Sequence, residues 1–150
     1  GLIDFEAGKG PNTISLGHMP SFSPLICYES LFPKEVIEPR VQPKFLINFT
    51  NDAWYGDTSG PYQHFDMTRL RAVEFGIPMV RAANTGISAV IDSYGRVISY
   101  LSLNTAGVIQ RKIPLPLKYT SIFSKYGNTI IIFLIIMIVG AAFFCSGRQK

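Results

Sequence analysis

The stretch Phe45-Leu46-Ile47-Asn48-Phe49-Thr50-Asn51-Asp52-Ala53-Trp54-Tyr55-Gly56 runs from an apolar strand into a polar loop that carries an aromatic pair. A short apolar run bounded by Asn, Asp and Gly reads as a strand, and loops beyond the carboxyl ends of strands are where α/β sheets collect ligand-binding residues. A helix follows over residues 61–75, with Phe65, Leu70 and Val73, joined by Met67 and Ala72, as its apolar face; Gly76 and Pro78 stop it. Upstream, residues 22–28 read as a short strand ending at Cys27, and Pro33 in a first helical turn starts a helix over 34–40. Downstream, Met79-Val80-Arg81-Ala82-Ala83 is a strand and Asn84-Thr85-Gly86 a turn or bulge. Ile87-Ser88-Ala89-Val90-Ile91 then resumes, and Asp92-Ser93-Tyr94-Gly95-Arg96 turns into Val97-Ile98-Ser99-Tyr100-Leu101. Alternating strands and helices followed by a β-ribbon predict an α/β layered domain.

Chemistry points first to Pro24-Leu25-Ile26-Cys27-Tyr28-Glu29-Ser30, where a cysteine ends an apolar run with an aromatic and a carboxylate behind it. A thiol at a strand end projects into a cleft while the next backbone N–H groups face an oxyanion, the geometry acyl transfer needs. Free cysteines also serve as small core hydrophobes, so position alone leaves both readings open.

Composition narrows the class. The net charge of +4 comes from 14 basic and 10 acidic residues, scattered without the Lys/Arg stripe of a nucleic-acid site, so nucleic acid is discounted as a partner. Cys27 and Cys145 stand in such different contexts that a disulfide framework is not expected. The chain opens on Gly1 with no charged-then-apolar leader, which reads as a fragment or processed product with sequence missing upstream.

At the far end, residues 129–144 are Thr-Ile-Ile-Ile-Phe-Leu-Ile-Ile-Met-Ile-Val-Gly-Ala-Ala-Phe-Phe, without one charge. That is about the length that crosses a bilayer as a helix. Tyr126 suits the headgroup level, Arg148 and Lys150 close the run, and Cys145 is a spectator or a palmitoylation site. Arg111, Lys112, Lys118 and Lys125 on the other side mean that charge counting does not settle orientation. The expected organisation is a globular part over 1–112, a linker over 113–125 built on Ile113-Pro114-Leu115-Pro116-Leu117, a transmembrane helix over 126–146 and a short cytoplasmic tail over 147–150.

Taken in order, Ile26-Cys27-Tyr28-Glu29, the Asn48 to Gly56 segment, Gln63-His64, Arg69-Leu70-Arg71-Ala72-Val73-Glu74 and Arg81-Ala82-Ala83-Asn84-Thr85-Gly86 resemble the nitrilase, or carbon-nitrogen hydrolase, superfamily. Within it they resemble the apolipoprotein N-acyltransferase family, over residues 15–146. The resemblance implies the carboxyl-terminal part of a nitrilase-like αββα sandwich followed by one transmembrane helix, at the bacterial inner (plasma) membrane with the catalytic domain periplasmic. It further implies a Glu-Lys-Cys triad in which Cys27 is the nucleophile and Tyr28 and Glu29 fill the positions after it. A phospholipid would be the acyl donor and a diacylglyceryl apolipoprotein the acceptor, with no metal or diffusible cofactor. The glutamate and lysine belong to an amino-terminal segment missing here; Glu6 and Lys9 lie too near Cys27 to fill those roles, so this chain alone is expected to be inactive and to leave an apolar face uncovered.

Other residues carry paired readings. Glu29 either lines the site and orients a substrate amine or makes an ion pair with a base such as Arg81; Trp54 and Tyr55 either meet acyl chains or cover a core. Asn51 and Asp52 are expected to fix their loop by side-chain to backbone bonds, His64 to be structural, His18 to stand alone, and Gly86 to supply a positive φ. Two other functions stay open: a membrane-tethered nitrilase-like amidase, and an inactive tail-anchored remnant of a split gene.

Overall fold

The computed structural model describes residues 8–147. Its strands are β1 (Phe22–Ile26), β2 (Phe45–Asn51), β3 (Met79–Asn84), β4 (Ser88–Ile91) and β5 (Val97–Leu101), in one sheet of order β1-β2-β3-β4-β5. β1 pairs parallel with β2 and β2 with β3, while β4 and β5 add antiparallel. Parallel neighbours need a long crossover. Between β2 and β3 this is helix α1 (Gly60–Phe75), closed by Gly76 in the left-handed region at φ 65.

The β1–β2 connection is irregular, with 3-10 turns over Cys27–Leu31 and Pro33–Glu35. The helix expected over 34–40 is not formed: Pro39 lacks the N–H a helix would use and pushes Glu38 away from helical φ/ψ. β1 is also shorter than expected, because Cys27 has φ 50 and leaves the strand there.

Register lines up two rows across the sheet: Ser23, Leu46, Met79 and Ile91, and next to it Leu25, Asn48, Arg81 and Ala89. Both rows face α1. Leu25, Leu46, Met79, Ala89 and Ile91 meet Phe65, Ala72 and Phe75 of the helix in a buried cluster completed by Val36, Ile77 and Ile87. The face of α1 differs from the one its hydrophobic pattern suggests. Phe65 and Ala72 are buried as expected, but Met67, Leu70 and Val73 are exposed, and His64, Thr68 and Arg71 point inward instead. Arg81 of the sheet meets Thr68 and His64, while Arg71 pairs with Glu74 on the helix itself, so hydrophobicity no longer marks the inner side. On the opposite sheet face, Ile26 and Phe49 are exposed at 58% and 46%, which leaves one sheet and one helical layer of an α/β fold.

After β5 the chain runs without regular structure until α2 (Ile122–Tyr126) and α3 (Thr129–Gly147). The expected linker lies against the body: Ser93 Oγ donates to Leu115 O at 2.9 Å, and Leu117 N donates to Gly76 O at 2.9 Å. Phe123 of α2 meets Phe75 edge-on, centroids 6.1 Å apart. The described large apolar side chains of α3, from Ile130 to Val139, are exposed. Among the residues whose side chains are described, no helix is long and apolar enough to cross a membrane; α3 contributes residues 129–142 to that set. The closing Arg148 and Lys150 lie outside the described residues.

The inverted face of α1 is checked by truncation. Phe75→Ala should cost about 3 kcal/mol or more in denaturant unfolding, whereas Leu70→Ala should stay within about 0.5 kcal/mol.

Candidate active site

Cys27 is partly buried at the carboxyl end of β1, with a positive φ that non-glycine residues rarely adopt. Such strain, on the order of 1–3 kcal/mol, persists only where neighbours over-determine it. Here they do. The Cys27 carbonyl accepts from Asn48 Nδ2 at 3.2 Å and from Ser30 Oγ at 3.1 Å. Glu29 Oε2 reaches back to accept from Ile26 N at 2.7 Å, which closes the 3-10 turn from its other side.

Asn48 is itself held by Arg81, a guanidinium only 2% exposed in the middle of β3. Arg81 Nη1 donates to Asn48 Oδ1 at 2.6 Å and to Thr68 Oγ1 at 3.0 Å, Nε to Ile87 O at 3.2 Å, and Nη2 to Asp52 Oδ2 at 2.7 Å. The other Asp52 oxygen lies 2.9 Å from His64 Nδ1 and accepts from Thr50 Oγ1 at 3.2 Å. Burial alone would push the Asp52 carboxyl up, but the His64 hydrogen bond and the Arg81 charge override it and hold the group below its ordinary 3.8. Thr50 Oγ1 also lies 3.3 Å from Cys27 Sγ, so the buried ion pair is one hydroxyl away from the thiol.

Aromatic rings cover this network. Tyr28 and Tyr55 join their hydroxyls at 2.5 Å, and Trp54 stacks on Tyr55 with centroids 4.8 Å apart while remaining 62% exposed. Burial, then the Tyr28 bond, raises the Tyr55 phenol far above its ordinary 10, so it stays protonated. His64 lies 5.2 Å from the Tyr28 ring, and its Nε2 has no protein partner among the described residues. No group of three or more His, Cys, Asp or Glu side chains among the described residues is placed to hold a metal ion.

Cys27, Tyr28 and Trp54 thus come together, with Glu29 at the rim. Glu29 does not pair with Arg81, whose partner is Asp52, a residue expected only to fix its loop. Asn51 does hold the loop, its Oδ1 accepting from Ala53 N at 3.1 Å. Gly86 has no positive φ; Thr85 takes that conformation at φ 57, and Gly86 is required because a Cβ there would collide with Asp52 Oδ2. Asn48 and Thr68 were not expected at the site, and Thr50, in the loop where ligand-binding residues collect, had no role of its own. A polar residue within an apolar strand, as Asn48 in Phe45-Leu46-Ile47-Asn48-Phe49, and an arginine within another, were the available signals, since buried polar groups demand partners. Lys9 is exposed in a loop, and Glu6 lies outside the described residues.

Comparison with known proteins bears on this geometry. Residues 5–120 match the carbon-nitrogen hydrolase family profile. The chain is similar to the apolipoprotein N-acyltransferase of Rickettsia prowazekii (strain Madrid E), 47% identical over 139 residues, which is 93% of this chain and 28% of the relative. That of Rickettsia bellii (strain RML369-C) is 49% identical over 138 residues, 92% of this chain and 28% of the relative. The chain thus spans little more than a quarter of the length of these relatives. Among solved structures it is similar to a mutant amidase from Nesterenkonia sp. AN1 carrying acrylamide at its active-site cysteine, with TM-score 0.53 and 25% identity over 66% of this chain and 41% of that one.

Asp52→Asn leaves Arg81 buried without a counter-charge and should cost about 3–5 kcal/mol near neutral pH. The folded Asp52 pKa is depressed, so its stabilisation is present above the unfolded value of 3.8 and is lost as pH falls through the lower folded value. Urea unfolding at about pH 7 and about pH 3 should show the wild-type advantage shrinking at the acid end; an equal difference at both would mean that the folded carboxyl's pKa is not depressed below its unfolded value.

Proposed function

The chain belongs to the carbon-nitrogen hydrolase family, and we propose that it is the carboxyl-terminal part of an enzyme that acylates apolipoproteins at the amino terminus. The observation that carries this reading is Cys27, held at positive φ at a strand end by the Asn48 and Ser30 bonds, in a chain so similar to apolipoprotein N-acyltransferases. Its thiol gives its proton to a glutamate base in the upstream part. The sulfur then attacks an ester carbonyl of a phospholipid, the oxyanion being held by a backbone N–H near Tyr28 and by an upstream lysine. The S–C bond forms, the ester C–O bond breaks, and lysophospholipid leaves with a proton. The α-amino group of a diacylglyceryl-cysteine then attacks the thioester, which forms the amide and returns the thiol.

Other residues take supporting parts. Glu29 uses one carboxylate oxygen on Ile26 N, and the other, with no hydrogen-bond partner among the described residues, orients the incoming amine. Tyr28 lines the site beneath Trp54, whose exposed ring suits acyl chains at the mouth. The globular part extends over 1–112 and the connection over 113–125. α3, within residues 126–146 and their four-residue tail, is the membrane anchor: 19 residues rise about 28 Å, near the hydrocarbon thickness. The exposure of its apolar side chains supports this, as does Tyr126 before it, with Lys125 over its ring. On this reading the site lies beside lipid, at the outer face of the bacterial inner membrane.

A second reading, hydrolysis of an amide with water as acceptor, is favoured by the likeness to an amidase modified at its active-site cysteine. One assay separates the two. The complete protein with its upstream sequence, in phospholipid vesicles with a diacylglyceryl lipopeptide, should yield N-acylated lipopeptide, and Cys27→Ala should lower that rate on the order of a thousandfold or more. Undiminished acylation by the variant would remove Cys27 from the reaction, and release of free acid from an added acyl amide, with no acylated peptide formed, would favour the amidase.

A further inference from the structure

A nucleophilic thiol must be held as an anion at the moment of attack, and few groups are placed to help it. Among the described residues, the charged and titratable side chains around Cys27 are Tyr28 and Glu29 on its own turn, Asp52 just after β2, Tyr55 on the following loop, His64 on α1 and Arg81 on β3. The Arg81 charge is taken up by Asp52 at 2.7 Å, and Glu29 is turned to Ile26 N. The side-chain donor that reaches Sγ among the described residues is the hydroxyl of Thr50, at 3.3 Å.

That hydroxyl has one proton and two acceptors, Cys27 Sγ at 3.3 Å and Asp52 Oδ1 at 3.2 Å, and it cannot donate to both. Beside a neutral thiol the carboxylate is the better acceptor. Once the sulfur is an anion, rotation of the O–H alone redirects the bond, with no heavy atom moving. Asp52 tolerates the loss because Arg81 still donates to Oδ2 and His64 still stands at Oδ1. Thr50 is buried and β-branched, so its oxygen has little rotamer freedom to wander from this position.

We propose that Thr50 is a catalytic residue whose hydroxyl turns from Asp52 to Cys27 Sγ as the thiol ionises and holds the thiolate for attack. This rests on Cys27 being the nucleophile. The test is the rate of iodoacetamide alkylation of Cys27 against pH in the complete protein, with the Cys27 adduct counted by peptide mass spectrometry and folding checked by thermal unfolding. Thr50→Val keeps the shape without the donor and should move the alkylation midpoint up by about one pH unit, about tenfold slower alkylation below both midpoints; Thr50→Ser should restore the wild-type profile. Should the valine variant fail to fold, Thr50→Ala serves in its place with the same expected shift. A donor-free variant that superimposes on wild type, or a serine variant shifted as far as it, overturns the proposal. Because alkylation needs no acyl donor, this outcome is separate from the Cys27→Ala acylation assay: acylation that survives Cys27→Ala fails the functional reading, whatever the alkylation profile shows.

Discussion

The buried ion pair between Arg81 and Asp52 is the constraint on which the rest of this structure depends. Both side chains are fully shielded from water, and removing two such charges from solvent costs several kcal/mol per ion before attraction is counted. The cost is offset only where every donor and acceptor finds a partner. Arg81 has five partners, Asn48 on β2, Asp52 in the loop after it, His64 and Thr68 on the helix and Ile87 in the turn after β3, and Asp52 adds Thr50 and His64. Pairing so complete ties β2, β3 and α1 to one point. Through Asn48, the same point reaches the Cys27 carbonyl and so the backbone strain at that residue. Fold and site are therefore one network here, and a change that loosens the pair is felt at the thiol.

The pair also explains why the helix packs as it does. A surface helix ordinarily turns its apolar stripe to the core. α1 instead turns His64 and Thr68 toward Arg81 and its partners, and Phe65, Ala72 and Phe75 supply the apolar contacts around them. Met67, Leu70 and Val73 are left outside because the polar requirement fixes the rotation of the helix. Gly86 belongs to the same logic: the turn after β3 must pass close over Asp52, and only a residue without a side chain fits.

The layered α/β character was legible because strands such as Phe45-Leu46-Ile47 and stops such as Gly76 and Pro78 are local signals. The position of Cys27 at the end of a strand was legible too, since the apolar run before it is visible in one dimension. The conformation of Cys27, with its positive φ, was not, because it is imposed by Asn48 and Ser30, 21 and 3 residues away. The roles of Asp52 and Arg81 were missed for the same reason. Their bond spans 29 residues, and nothing in the neighbourhood of either tells which partner it takes. The helix expected after Pro33 failed through a local signal that was present, Pro39, whose effect outweighed the favourable start.

Two apolar surfaces remain uncovered among the described residues, and their shapes call for different partners. Parallel strands are normally buried on both faces, and β1 and β2 are covered by α1 on one face only, with Pro24, Ile26, Ile47 and Phe49 alternating to the other. A flat, pleated apolar face is matched by a second sheet packed about 10 Å away, which fits a chain spanning 28% of its relatives. α3 is apolar around its whole circumference over residues 130–139, with no polar side to turn to water. A sheet cannot cover such a cylinder, whereas lipid can. The two surfaces thus differ in kind: one is a flat face that a protein layer fits, and the other is a cylinder that lipid fits.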